Sequence, residues 1–295
     1  MTLRHLEIFL AVYDQQNMRR AAEKLYISQP TVSEAVREIE EEYGVLLFER
    51  LNHRLFVTTA GENLAVYARR LLGLFREMED VLNTSAQRPI LRIGATLTVG
   101  TCILPEILQR MQEDERTPST VIVENTRSIE ELVARGELDI GFVEGEISRK
   151  ELATTPVMED PLIAVAAQPT PQPITLEDLC RRYPLLMREP GSGTRAMVES
   201  TLQQKGVPYK ERWVCSNTQA LLRAAEAGLG AAILSRLLAQ EAIQQKKLFE
   251  IPLTDCAMNR SFRLVWHKDK FQNPSFQCFC RLCREYAVEK KKTEA

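Results

Sequence analysis

Residues 18–37, MRRAAEKLYISQPTVSEAVR, constrain this chain more than any other stretch, because their spacing fits a helix–turn–helix. Ala21, Ala22 and Leu25 give a first short helix one small apolar face, and small residues there let two helices cross closely. Tyr26 and Ile27 occupy the turn. Ser28 is placed to cap a second helix, and Pro30 falls in its first turn, where a missing N–H costs nothing. Val32, Ala35, Val36 and Ile39 form the buried face of that second helix, which leaves Gln29, Thr31, Ser33, Glu34 and Arg37 pointing outward. Small polar side chains and an arginine near the start of such a helix suit base edges in a major groove. The same pattern also fits a plain helical hairpin with a solvated polar face.

Residues 40–62, EEEYGVLLFERLNHRLFVTTAGE, favour the first reading. Gly44 ends the second helix, and Leu46, Leu47 and Phe48 are expected to return to the core. Arg50, His53 and Arg54 then project from a tight excursion, with Leu55–Thr58 as the return strand. That is the pattern of a wing, whose arginines lie against phosphates or reach a minor groove. Thr59 is expected to cap a further helix, with Glu62 completing a capping box.

The run FLAVYDQQNMRRAAEKLYISQPTVSEAVREIEEEYGVLLFER, followed by VTTAG, resembles the N-terminal domain of LysR-type transcriptional regulators. The resemblance implies major-groove contacts from Gln29, Pro30, Thr31 and Ser33, with Arg37 behind them, and wing contacts from Arg50 and Arg54. Glu34 departs from the family pattern, which often carries a basic residue or glutamine there. An acid at that position either reads a cytosine amino group or pairs with a neighbour.

Charge narrows the partner class. The chain holds 38 Lys plus Arg against 40 Asp plus Glu, a net charge of −2, so its positive charge is local. Before residue 62, Arg4, Arg19, Arg20, Lys24, Arg37, Arg50 and Arg54 face nine acids, with Glu38, Glu40, Glu41 and Glu42 clustered far along the second helix. Weak non-specific binding is the expectation, with affinity rebuilt by dimerisation. Leu64, Tyr67, Leu71, Leu74, Met78 and Val81 follow steps of three and four, a coiled-coil seam; a helix packed on its own domain is the alternative. The family resemblance implies a linker helix that pairs two subunits, ended here by Arg88-Pro89.

From Ile90 the pattern changes to strands alternating with helices: LRIGAT, a helix from about Val99 to Met111, TVIVEN, a helix over Ile129–Arg135, and LDIGFVEG. It repeats after residue 162 as LIAVAA, PLLMRE, GSGTRAMVESTLQQKG, WVCSN, a helix over Gln219–Glu226 and GAAILSR. Such repetition implies parallel sheets with right-handed crossovers. The expected fold is therefore α+β multidomain: an N-terminal winged helix–turn–helix with a long dimerisation helix, then an α/β two-subdomain effector domain resembling periplasmic solute-binding proteins. The expected boundaries are 1–61, 62–88 and 89–295, with subdomain I over about 89–162 plus 266–295 and subdomain II over about 163–265. The chain is expected to cross near Pro161–Ala166 and again near Phe262–Trp266.

Ligands of such folds sit at the carboxyl ends of strands, where helix N-termini point inward. Those ends are Thr96, Thr98, Val99, Gly100 and Thr101; Thr126, Arg127 and Ser128; Ser192, Gly193, Thr194 and Arg195 of GSGTR; and Asn217 with Thr218. Hydroxyls and amides facing one crevice suit a small anion: a carboxylate, sulfur oxyanion or phosphate ester. Against each stands an ordinary N-cap role, and Arg195 has the alternative of an acid in its own subdomain. Glu144 would oppose an anion, hold an ammonium group or fix Arg127.

Cys278, Cys280 and Cys283 form C-x-C-x-x-C in an expected C-terminal helix, where packing is the plain reading and metal or redox chemistry the rival. Cys102 and Cys215 lie by the expected cleft, Cys102 at a helix start that would lower its thiol pKa. The seven scattered cysteines suit a reducing cytoplasm. The amphipathic first 20 residues give no signal peptide, and no stretch is long enough to span a bilayer. Without a nucleophile elbow, His-rich metal motif or dinucleotide fingerprint, no catalytic residue, cofactor or metal is expected. The implied partners are double-stranded DNA with a partly palindromic, A/T-rich site, a small anionic effector, further copies of the chain as dimer or tetramer, and RNA polymerase.

Overall fold

The computed structural model describes residues 1–51, 54–82, 90–115 and 117–294, and its described residues fall into two compact units, 1–82 with Arg135–Glu137 and 90–134 with 138–294. Of Arg50, Leu51, Arg54, Glu77, Asp80, Val81, Asp114, Glu115, Thr293 and Glu294 only the backbone is described. The first unit contains α1 (Leu3–Gln15), α2 (Met18–Leu25), α3 (Gln29–Tyr43), the hairpin β1 (Phe48–Leu51) and β2 (Arg54–Val57), and α4 (Thr59–Leu82). α2 and α3 are the expected helix–turn–helix. Asn17 caps α2 by accepting from Arg19 and Arg20 N–H, and Ser28 caps α3 by accepting from Thr31 N–H. Between them Tyr26 takes a left-handed conformation, φ 55°, while Ile27 N–H reaches back to the Ala22 carbonyl, closing the turn from inside. Ala21, Ala22, Val32, Ala35, Val36 and Ile39 are buried with Phe9 and Val12 of α1. Each large apolar side chain so buried contributes about 1.5–3 kcal/mol.

The wing entry corrects two sequence expectations. Leu47 and Phe48 are buried, but Leu46 is exposed, because its carbonyl accepts from Thr58 Oγ1 at 2.6 Å and the extended chain alternates its side chains. Thr58, not Thr59, caps α4, accepting from Gly61 N–H at 3.1 Å. Glu62 therefore makes no capping box and instead takes the Tyr13 hydroxyl at 2.5 Å, tying α4 to α1. Glu40, grouped in the sequence with surface acids, turns inward: its Oε1 accepts from Leu47 N–H at 2.7 Å and Phe48 N–H at 3.2 Å. Glu40→Ala is expected to cost the first unit about 1–3 kcal/mol in urea unfolding, since two N–H groups lose a charged acceptor. A change under about 0.5 kcal/mol, the size of an ordinary surface effect, would refute that role.

Along α4, Ala65, Ala68 and Leu72 face this core, whereas Tyr67, Leu71, Leu74 and Met78 are exposed and Leu64 is half-buried. The Val81 side chain, His53 and Arg88-Pro89 lie outside the described residues.

The second unit is built on β3 (Leu91–Ala95), α5 (Leu97–Cys102), α6 (Leu104–Glu115), β4 (Ser119–Val123), α7 (Thr126–Ala134) and β5 (Ile140–Glu144). After these come β6 (Leu152–Ala166), α8 (Leu176–Arg182), β7 (Leu185–Arg188), α9 (Gly193–Lys205), β8 (Glu211–Cys215), α10 (Thr218–Glu226) and β9 (Ala231–Ser235). It closes with α11 (Arg236–Gln244), β10 (Phe249–Ile251), β11 (Met258–His267) and α12 (Pro274–Glu294). The strands lie in the order β4-β3-β5-β11-β6-β9-β7-β8, with β10 paired to β6. β3 pairs parallel with β4 and β5, and β7 parallel with β8 and β9, which gives the two expected subdomains.

Phe262–Val265, where the chain is expected to cross back, pair with β5 in the sheet of subdomain I. The reason is the register of the crossing strands, which sets Arg260 opposite Asp160 and puts the change of partner before Phe262. The helix expected from Val99 to Met111 is two, α5 and α6, broken at Ile103 just before Pro105, which cannot donate to a continuing ladder.

Candidate functional sites

The exposed face of α3 presents Gln29, Pro30, Thr31, Glu34 and Arg37, with Ser33 half-buried among them. Gln29 Nε2 donates to Ser33 Oγ at 2.7 Å, and Arg37 pairs with Glu34 at 2.7 Å and Glu41 at 3.5 Å. Glu34 therefore satisfies the neighbour-pairing alternative. Exposed pairs of this kind are worth about 0–1 kcal/mol, so they preset Arg37 without withholding it from a stronger partner. The Arg50 and Arg54 side chains fall outside the described residues, while their backbones sit in the β1–β2 hairpin, Arg50 opposite Leu55 and Leu51 opposite Arg54.

The second site is at the crossing of β6 and β11. Arg260 of β11 is 4% exposed and lies between two carboxylates, Asp160 of β6 and Glu144 at the end of β5, 0% and 1% exposed. Its Nε donates to Asp160 Oδ2 at 2.7 Å and its Nη1 to Thr194 Oγ1 at 2.8 Å, with Glu144 Oε1 3.3 Å from Nη1. Ser235 Oγ donates to Asp160 Oδ1 at 2.5 Å. Thr96 Oγ1 donates to Glu144 Oε2, Thr98 Oγ1 to Oε1 at 3.5 Å, and Thr126 Oγ1 to the Glu144 carbonyl at 3.1 Å. Buried charges persist only when paired and hydrogen-bonded, and here one guanidinium serves both carboxylates. Burial still pushes the Asp160 carboxyl up, against the pull of Arg260 and Ser235.

Thr96, Thr98, Thr126, Gly193 and Thr194 thus converge on Glu144 or Arg260, with Ser192 next in chain. The other candidates are placed differently. Val99 is in the core, Thr101 is exposed, and Gly100 is against Val123. Arg127 has a side chain 79% exposed and pairs with Glu131, so it does not meet Glu144; Ser128 N–H is taken by Asn125 Oδ1. Arg195 turns to Glu199 at 2.8 Å and Glu211 at 2.9 Å in its own subdomain. Asn217 caps α10, and Thr218 accepts from Arg188 Nη1 at 3.3 Å. The glycines of GSGTR serve closeness to the other subdomain: a Cβ on Gly193 would lie 2.6 Å from the Glu144 carbonyl oxygen, and Arg127 N–H reaches the Gly191 carbonyl.

Sequence reasoning missed Asp160, Ser235, Arg188 and Arg260. A signal existed in the alternation of β11, where Met258, Arg260, Phe262 and Leu264 share one buried face, so Arg260 had to be buried with them. In β6, Met158, Asp160, Leu162 and Ala164 do the same, although Met158 is only half-buried.

Cys102 ends α5 instead of starting it, and burial, with Asp160 and Glu144 nearby, pushes its thiol pKa up to about 11, the opposite of the expected lowering. Cys278, Cys280 and Cys283 pack in the core of subdomain I, where burial raises Cys280 to about 11 and Cys283 well up. Cys215 is half-buried at the end of β8.

Two family profiles match: residues 3–62 the bacterial regulatory helix-turn-helix protein, lysR family, and residues 85–288 the LysR substrate binding domain. The chain belongs to the LysR family of transcriptional regulators. The uncharacterized HTH-type transcriptional regulator YeiE of Escherichia coli (strain K12) is 31% identical over 287 residues, 96% of this chain and 97% of YeiE. Solved LysR-type folds superimpose at low identity. A full-length OxyR variant from Pseudomonas aeruginosa gives a TM-score of 0.71 at 21% identity, covering 96% of this chain and 95% of that one. Full-length CbnR complexed with its target DNA gives 0.67 at 21%, covering 97% and 100%. The regulatory domain of Synechocystis PCC6803 CcmR in complex with 2-PG gives 0.62 at 21%, covering 67% and 97%. The fold is therefore an N-terminal helix–turn–helix domain joined to a two-subdomain α/β effector domain, and the LysR-type relatives of this chain are transcriptional regulators. Among the described residues no helix is long and apolar enough to cross a membrane.

Proposed function

We propose that this LysR-type regulator reads a partly palindromic, A/T-rich operator through α3 and the wing, and is switched by a small anionic effector between its subdomains. Self-association through α4 spaces two α3 helices on successive major grooves, in a dimer or tetramer that acts on RNA polymerase in the cytoplasm. The observation that carries the switch is the Glu144–Arg260–Thr194 bridge. It joins the end of β5 in one subdomain to the start of α9 in the other, so a ligand that takes over Arg260 changes how they meet. The anion reading rests on a donor left over there: Ser192 Oγ is buried without a partner, beside Arg260, whose Nη2 pairs with Asp160 Oδ2 at 2.6 Å. CcmR in complex with 2-PG supports a small molecule in this domain.

The test is to select genomic fragments bound by the purified protein and footprint the tightest at two salt concentrations. Protection of a two-fold site over two or more helical turns is the expected result, and its absence would overturn the reading. On that fragment, Ser33→Ala or Arg37→Ala should weaken specific binding by roughly 1–3 kcal/mol, measured by titration, with less effect on unrelated DNA. Equal losses on both would reassign these residues to backbone contact.

A further inference from the structure

We infer that the effector is a zwitterion, an amino-carboxylate whose ammonium group meets Glu144 and whose carboxylate meets Arg260 and Ser192. This rests on the cleft reading above; it keeps the carboxylate of that effector and adds an ammonium group. The buried centre holds two carboxylates, Glu144 and Asp160, against one guanidinium, Arg260. The other arginines around α9 are already neutralised: Arg188 lies against Glu189 in a two-bond pair of 2.8 and 3.0 Å, and Arg195 between Glu199 and Glu211. A plain anion entering this centre would meet two buried carboxyl groups with one guanidinium between them. A ligand with both signs adds no net charge.

The polar groups left incompletely matched are of both kinds. On the donor side, Ser192 stands at the N-cap of α9 but does not use its hydroxyl as a cap, and that buried oxygen has no partner. Arg260 Nη2, paired with Asp160 Oδ2 at 2.6 Å, has one further hydrogen to donate. On the acceptor side, Glu144 Oε1 has only long contacts, 3.5 Å to Thr98 Oγ1 and 3.3 Å to Arg260 Nη1, so it retains capacity for a closer donor. The spacing also fits. An α-amino acid keeps its ammonium nitrogen roughly 3 Å from a carboxylate oxygen, set by the bonds through Cα. Arg260 Nη1 and Glu144 Oε1 are 3.3 Å apart, a spacing that such a group matches with each charge facing its opposite.

The experiment titrates the full-length protein, by calorimetry and thermal melting, with three sets of probes. These are the twenty protein amino acids; deaminated counterparts such as propionate, lactate and succinate; and inorganic sulfate, sulfite and phosphate. At least one amino acid is expected to bind ten-fold or more tightly than its deaminated counterpart. Glu144→Gln should lose that preference by at least ten-fold, its own unfolding transition being recorded alongside. Because the comparison within the wild-type protein needs no variant, poor folding of Glu144→Gln leaves the test intact. Deaminated or inorganic anions binding better than every amino acid would overturn the zwitterion and leave the anion cleft standing. Binding by no probe of any set would overturn both.

Discussion

Arg260→Met is expected to destabilise the second unit by about 3–5 kcal/mol, because it strands two buried carboxylates that share one guanidinium. Methionine fills much of the same volume, so the loss reports charge and not a cavity. The pH dependence separates the two further. Burial already raises the Asp160 carboxyl, and removing Arg260 takes away the strongest opposing influence. A carboxyl whose folded pKa exceeds its unfolded value favours folding in its protonated form, so its cost is full at neutral pH and recedes as pH falls through the folded pKa. The deficit of Arg260→Met relative to the parent should therefore shrink on acidification from about pH 7 toward about pH 5, in urea unfolding followed at matched ionic strength. A deficit below about 1 kcal/mol, or one that does not change with pH, would mean water reaches the site and screens it.

On the proposed pairing through α4, replacing Leu71 and Leu74 together by glutamate should separate the subunits. Both side chains are exposed in the single chain, beside Tyr67 and Met78, while the opposite face of α4 is held by Ala65, Ala68 and Leu72. The substitutions thus fall on the face the domain does not use, and the fold of one chain should change by no more than about 0.5 kcal/mol. Operator affinity should fall by about 10²–10⁴, since two linked reading helices gain that factor over one. Sedimentation and operator titration at the same concentrations check both halves. Unchanged mass would assign the exposed stripe to another partner.

The helix–turn–helix was fully legible in residues 18–37, because its determinants are local: a cap at Ser28, a proline in the first turn, and apolar spacing that one helix pair can satisfy. The alternation of strands and helices within each subdomain was legible for a similar reason, since each unit carries its own local pattern. The cap on α4 was misread by one residue because Thr58 and Thr59 are equal by type, and only the return path from Leu47 selects Thr58. Glu40 looked like one acid among four until the wing entry folded back onto it.

What the sequence determined by itself was therefore the kind of protein and which residues α3 turns outward. What only tertiary structure decided was the charge of the cleft. Asp160 and Arg260 are 100 residues apart and meet because β6 and β11 run side by side in one register, and Glu144 joins them from a third strand. Pairing at that separation leaves no local spacing to read, yet it fixes which charges are neutralised, and hence which ligands a buried site tolerates.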